Sequence, residues 1–397
     1  MGGTNRKWKL LSVKLDSEDS LAFARMVEEG KIRPLVDSVY AFEDTLKAYE
    51  RLMSKRATGK VIVKVDPALF KPSHLSDFLI FFIHRLPSHT STTTISTPTT
   101  LERMLHPPKL AVATEYGNAA SFWVEYPAGL IDLSRTAHLP KVALQDGETE
   151  QAQSVQDVPV PPLQPATQLD IPVDGDRVIR IAKKHSAIVI VDMQNYFLHP
   201  DIRDHPTGLA CVIPLMNLVP ALRAHGVKIL WVNWGLTEHE LTTIPPSLTR
   251  GFKKGGRGGF GSVLPGDFGR LLMRGEYNSE LYGPLQALYE EGRREGTDVW
   301  IHKNRMSGLW GPQTALGLYL QEQGITTLFF AGVNADQCVL GTLVDAYSKG
   351  YDCIVVEDCV ATTSPPGGLE NVLYNASRSY GFVTDSSRIT DAATCQK

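Results

Sequence analysis

The sequence predicts an α/β fold: a doubly wound, mostly parallel sheet with helices on both faces, preceded by a partial α/β segment at the N-terminus. Three observations predict it. Apolar runs of strand length recur beyond residue 176, as in Ala187-Ile188-Val189-Ile190-Val191. Between them lie stretches with apolar residues at helical spacing, such as Val339, Leu343, Val344 and Ala346. The two alternate, and a strand–helix–strand order requires parallel neighbours. The clearest case is a strand over 325–331, a helix over 338–349 closed by Gly350, and a strand over 353–356.

The first 66 residues hold a short helix around Leu21, Ala22, Met26 and Val27, a second around Phe42, Leu46, Tyr49 and Leu52, and a strand over 61–65. The words Glu29-Gly30-Lys31-Ile32-Arg33-Pro34, Ala41-Phe42-Glu43-Asp44-Thr45 and Thr58-Gly59-Lys60-Val61-Ile62-Val63 stand in this segment. On them it resembles the carboxyl-terminal end of medium-chain dehydrogenases of the quinone-oxidoreductase type. No GxGxxG turn precedes these words, so the segment has no means of holding a dinucleotide, and no cofactor is expected. Two readings of it stand, a fusion remnant and a docking element. Residues 67–111 read as a linker, because 88–100 is almost wholly Ser, Thr and Pro and cannot bury a core.

The main domain is expected over 112–397. Residues 120–126 and 129–133 suggest a hairpin, and the Pro-, Gln- and Asp-rich stretch 141–175 reads as a surface strap or loop. Further strands are expected at 228–233, 298–302 and 381–383, and helices at 209–224, 314–323 and 369–380. A long loop, 235–270, carries many glycines together with Lys253, Lys254 and Arg257. It lacks the GK[ST] ending of a phosphate loop and reads as a lid over a pocket, an anion-steering patch, or a mobile loop without chemistry.

Composition narrows the function classes. Of 397 residues, 43% are hydrophobic and 21% charged, as in an ordinary globular protein. The net charge of −3 argues against a general nucleic-acid binder. Five cysteines with no CxxC pair fit a reducing compartment. The first residues are polar and basic, without the apolar core of a signal peptide. The apolar run 78–83 is far shorter than the roughly 20 residues of a membrane span. The expectation is a cytoplasmic protein acting on a small molecule, with neither nucleic acid nor membrane as partner.

Three reactive side chains follow the carboxyl ends of three strands: Asp192, Lys303 and Cys338. In a parallel sheet those ends share one edge, where ligands bind. A thiolate attacks carbonyl carbon well, so Cys338 is the expected nucleophile. Its place at a helix start is expected to lower its pKa. Asp192 is the expected base, provided burial raises its pKa. Lys303 would hold both charges in register, and the amides of Asn334 and Cys338 would form an oxyanion hole. Tyr196, Phe197, Trp234 and Trp310 are the candidate aromatic wall of a substrate pocket. Cys211, Cys353, Cys359 and Cys395 read as structural or incidental.

The words Val189-Ile190-Val191-Asp192-Met193-Gln194-Asn195-Tyr196-Phe197, Ile301-His302-Lys303-Asn304-Arg305-Met306-Ser307 and Gly332-Val333-Asn334-Ala335-Asp336-Gln337-Cys338-Val339 occur in that order. On them, residues 180–390 resemble the isochorismatase-like cysteine hydrolases, a superfamily with nicotinamidases and carbamoyl-amide hydrolases among its members. The resemblance implies an Asp192–Lys303–Cys338 triad, an acyl-enzyme cleared by water, a cis peptide between Val333 and Asn334, and self-association into a homo-oligomer. It implies cleavage of an amide, imide or ureido C–N bond. The alternatives are an isochorismatase-type enol-ether hydrolase, against which Cys338 counts, and a non-catalytic scaffold. Nicotinamidases bind a metal through an Asp and closely spaced histidines after the second strand. Here 233–240 offers only His239, beside Glu238 and Glu240, and no metal is expected.

Overall fold

The computed structural model describes residues 36–41, 60–64, 108–140, 152–254 and 258–395. The chain divides into two units, residues 1–96 and 97–397. In the first, β1 (Val36–Ala41) and β2 (Lys60–Lys64) pair in parallel, with Val39 opposite Ile62. The strand expected at 61–65 is therefore present, and it has a partner that the sequence reading did not supply. The two helices expected in this segment and the linker from 67 to 107 lie outside the described residues.

The second unit contains two six-stranded sheets. The first comprises β3 (Ala113–Gly117), β4 (Phe122–Glu125), β5 (Leu130–Asp132), β6 (Ala152–Val155), β7 (Gln168–Val173) and β8 (Arg177–Ala182). Its order is β6-β3-β4-β5-β8-β7, antiparallel throughout except for β5 beside β8. The expected hairpin is the β4–β5 pair. The loop expected over 141–175 is corrected: β6 and β7 lie within it. In β7 Leu169, Ile171 and Val173 turn inward while Asp170 and Pro172 do not, the alternation of a half-buried strand. Pro172 is tolerated because β7 is an edge strand, where a missing N–H breaks no ladder.

The second sheet supplies the expected architecture. Along the chain run β9 (Ser186–Val191), α1 (Asn195–Leu198), α2 (Pro206–Ala210), α3 (Val212–Ala224), β10 (Lys228–Trp234), α4 (Glu238–Leu241), α5 (Pro246–Lys253), α6 (Pro284–Glu295), β11 (Asp298–Lys303), α7 (Ala315–Glu322) and β12 (Thr327–Val333). A π turn (Ala335–Val339) leads into α8 (Leu340–Ser348), followed by β13 (Asp352–Ala361), α9 (Gly368–Asn375), a second π turn (Ala376–Tyr380), β14 (Gly381–Thr384) and α10 (Ser386–Cys395). Strand order is β11-β10-β9-β12-β13-β14, all parallel. The central strands β9 and β12 are buried along their whole length, which is why they read as unbroken apolar runs. On one face Leu215 and Leu222 of α3, Leu285 of α6 and Ile389 of α10 close the core. On the other, Leu316 of α7 and Leu343 of α8 do so.

Three elements depart from expectation. The loop 235–270 contains α4 and α5. The stretch before β11 forms α6, with Pro284 in its first turn and left-handed Gly296 at its end. The tail after β14 forms α10. The segment Pro206–Ala224 is long and apolar enough to cross a membrane by composition. Here it is split at Cys211, and its Leu215, Leu218, Val219 and Leu222 pack inside the core.

A polar hub joins the two sheets of this unit. Asp352, at the start of β13, accepts from both terminal nitrogens of Arg135 (2.6 and 2.7 Å), from Trp123 Nε1 (2.6 Å) and from Thr327 Oγ1 (2.7 Å). The carboxylate is buried, and these four bonds replace its lost water.

Candidate active site

Strand direction brings Asp192, Lys303 and Cys338 to one edge of the parallel sheet. Asp192 follows β9, Lys303 ends β11 and Cys338 lies in the π turn after β12. Lys303 Nζ stands 2.9 Å from Asp192 Oδ2, and both side chains are sealed from solvent. The Cys338 thiol lies against the same two groups. Asp192 has φ of 53°, a left-handed conformation that costs a non-glycine residue energy and recurs at functional sites. Its Oδ1 accepts from the Trp234 amide at 3.3 Å.

Burial pushes the Asp192 carboxyl up from the usual carboxylate range, and the Lys303 charge partly offsets this. Burial also pushes the Cys338 thiol up to about 12, against the pull of Lys303. The expectation that the helix start lowers this pKa is therefore corrected. Loss of water around the sulfur disfavours the thiolate.

The surrounding backbone is closely fitted. The Val333–Asn334 peptide is cis. Before it, Gly332 has φ of 108°, and a Cβ there would lie 2.0 Å from Val191 O, so β9 and β12 can approach only at a glycine. In the π turn, Asn334 O accepts from the amides of Gln337 (3.0 Å) and Val339 (3.2 Å). Thr342 Oγ1 donates to Cys338 O (2.7 Å) and accepts from Gly308 N (3.1 Å), which fixes the cysteine's carbonyl.

Two supporting residues had no role in the sequence reading. Gln194 Nε2 donates to Trp234 O (2.7 Å) and Ser279 O (2.6 Å), and its Oε1 accepts from Trp234 N (3.1 Å). Buried His205 accepts at Nδ1 from the Gly208 amide (2.9 Å), so its proton is on Nε2, which donates to Asn334 Oδ1 (2.8 Å). Burial holds the His205 pKa down, which favours this neutral form. No periodicity marks His205, because its partner is distant in sequence.

The four candidate wall aromatics divide. Trp234 is fully buried, with the Lys303 ammonium 3.9 Å from its ring centroid, a cation–π contact. Phe252 and Phe260 pack on it at 5.4 and 5.1 Å, so the segment around α5 covers this ring. Tyr196 and Phe197 are buried and meet edge to face at 4.9 Å. Trp310 is half exposed and borders a cavity of about 510 Å³ with Glu240, Arg274, His302, Lys303 and Asn304. The donor set of a nicotinamidase metal does not fit here. His239 is exposed, Glu238 is paired with Arg270, and Glu240 is held by Thr237 and by Asn304 Nδ2 (2.8 Å). Among the described residues, no group of three or more His, Cys, Asp or Glu is placed to hold a metal ion.

The sequence profile described as isochorismatase domain matches residues 186–387. A second, described as zinc-binding dehydrogenase, matches residues 1–63. Among solved structures the chain is similar to a cysteine hydrolase from Pseudomonas syringae pv. phaseolicola 1448A, at 18% identity over 55% of this chain and 96% of that one, TM-score 0.44. It is similar to a nicotinamidase from Bacillus subtilis (25% identity, 50% and 98% covered, TM-score 0.41). It is also similar to an N-carbamoylsarcosine amidase from Thermoplasma acidophilum (27%, 51% and 96%, TM-score 0.39).

Proposed function

Since the chain belongs to the isochorismatase domain family, we propose that it is a cysteine hydrolase that cleaves an amide, imide or ureido C–N bond of a small molecule, through an acyl-enzyme on Cys338. The observation that carries this reading is the sealed Asp192–Lys303 pair, 2.9 Å apart, with a thiol against it.

The steps follow from that arrangement. The Cys338 thiol gives its proton to Asp192 as sulfur attacks the carbonyl carbon. A carboxyl with a raised pKa is suited to take that proton at neutral pH. The developing oxyanion is met by the amides of Asn334 and Cys338, each such donor worth about 3 kcal/mol in the transition state. Asp192 then returns the proton to the leaving nitrogen, the C–N bond breaks and a thioester remains. A water molecule, deprotonated by the same carboxylate, attacks the thioester and frees the thiol and the acid. Lys303 keeps Asp192 in place and balances charge as the proton moves.

The test is Cys338→Ala in the purified protein, assayed against amides, cyclic imides and ureido acids. Turnover of whichever substrate the wild type accepts is expected to fall at least about a thousandfold. An alanine variant as fast as wild type would end the proposal.

A further inference from the structure

β11 is the outermost strand on one side of the parallel sheet. The cavity of about 510 Å³ beside Trp310 is lined by a run of consecutive residues, from Trp300 to Asn304. Successive side chains of a strand point to opposite faces, so an unbroken run lines one cavity only where that cavity follows the strand's edge. Tyr319 of α7 and Glu240 of α4 flank the groove.

The phase of the ladder fixes which backbone groups face that edge. Ile229 lies opposite Asp298, and its amide donates to Thr297 O (3.3 Å). In a parallel ladder, residues that bond to the neighbouring strand alternate with residues that point away from it. Thr297, Val299, Ile301 and Lys303 therefore point at β10, while Trp300 and His302 point outward. Among the described residues, nothing bonds to the backbone N–H or C=O of Trp300 or His302. The opposite edge of the sheet differs, because Val383 O of β14 accepts from the Asp174 amide (3.0 Å). β11 also lacks the devices that blunt an edge. Its register with β10 is unbroken, it has no proline, and Val299, Trp300 and Ile301 are strong β-formers.

We propose that this edge docks a second copy of the chain, with β11 pairing antiparallel to its counterpart about a two-fold axis at Ile301, so that two parallel sheets join into one. The inference concerns this edge alone and does not rest on the reaction at Cys338.

The free groups themselves point to a second copy, because their pattern is self-complementary. An axis at Ile301 sets Trp300 opposite the partner's His302, and His302 opposite the partner's Trp300. Each such pair exchanges both N–H···O bonds, so every outward group of the two residues is used. No like charges come opposite one another, since Val299 meets the partner's Lys303 and Asp298 the partner's Asn304. Trp300 and His302 lie two residues apart and share a face, so an indole meets an imidazole across the seam, an aromatic pair of the kind that stabilises sheets. Trp310, at the groove, and Leu318, on α7, are 50% and 45% exposed, apolar area that a partner would cover.

Sedimentation velocity of the full chain, with amide hydrogen exchange, tests the assignment. A dimer is expected, in which the Trp300 and His302 amides exchange at least about tenfold more slowly than in the diluted monomer. Trp300→Pro removes an outward N–H and leaves the bonds to β10 in place, as edge strands allow. It should weaken the dimer at least about tenfold, whereas Trp300→Phe, which keeps the N–H, should stay dimeric. The assignment is overturned if the wild type is a monomer at about 100 μM. It is equally overturned if the two amides exchange alike in dimer and monomer, which would put the interface elsewhere. Protection of both amides in the monomer would show that the chain covers this edge itself, and would also overturn it, as would a Trp300→Pro variant that dimerises as tightly as wild type.

Discussion

Neutral His205 fixes the side chain of Asn334, and Asn334 sets the peptide expected to meet the oxyanion. His205→Ala should therefore slow the chemical step more than it weakens binding. The expected outcome is a kcat about ten- to a hundredfold lower with KM changed little. A purely structural histidine would instead lower Tm and leave the kcat of the folded fraction intact, so steady-state kinetics beside a melting curve separates the two. At this scale the sequence disclosed which residue types carry chemistry but not their state. Asp192, Lys303 and Cys338 each follow a recognisable strand, so their shared edge was legible. The raised Cys338 pKa was not, because it depends on burial of the thiol, which only the fold sets.

Elements were legible in proportion to how locally their signal was written. The apolar runs within β9, β10 and β12 announce themselves. β7 alternates too, but its pattern sits within a Pro- and Gln-rich stretch that masks it. α6 carries a dense charged face, and its apolar stripe is short, Leu285, Leu288 and Tyr289, between the stronger signals of Pro284 and Gly296. The seam between the sheets rests on contacts more than 200 residues apart in sequence, Arg135 and Trp123 with Asp352. Arg135→Leu should cost about 3 kcal/mol, because it leaves the Asp352 charge buried with neutral donors only. Urea unfolding measures this, and a variant within experimental error of wild type would show that the pair is not what holds the seam.

Across the whole molecule, four of the five cysteines are buried, and burial raises the pKa of each: Cys211 and Cys338 to about 12, with Cys353 and Cys359 shifted in the same direction. In the unfolded chain a thiol ionises near 8.5. Above that pH the unfolded state binds fewer protons than the native one, so stability is full below about pH 8.5 and falls as pH rises towards the folded values. The expected slope is about 1.4 kcal/mol per pH unit for each buried thiol titrating. Melting temperature between pH 8 and pH 11 should drop steeply, and replacing Cys211 by Ser or Ala should make the drop shallower.

The Asp352 hub bears on where this protein can be cut. The profile match begins at residue 186, inside the run of residues that the hub ties together. Excision there would strip Asp352 of Arg135 and Trp123 at a stroke, and would uncover Ile354 and Val356, which share a core with Ile131, Ile171 and Ile179. The preceding sheet is thus packed into the hydrolase domain's own core rather than luggage carried in front of it.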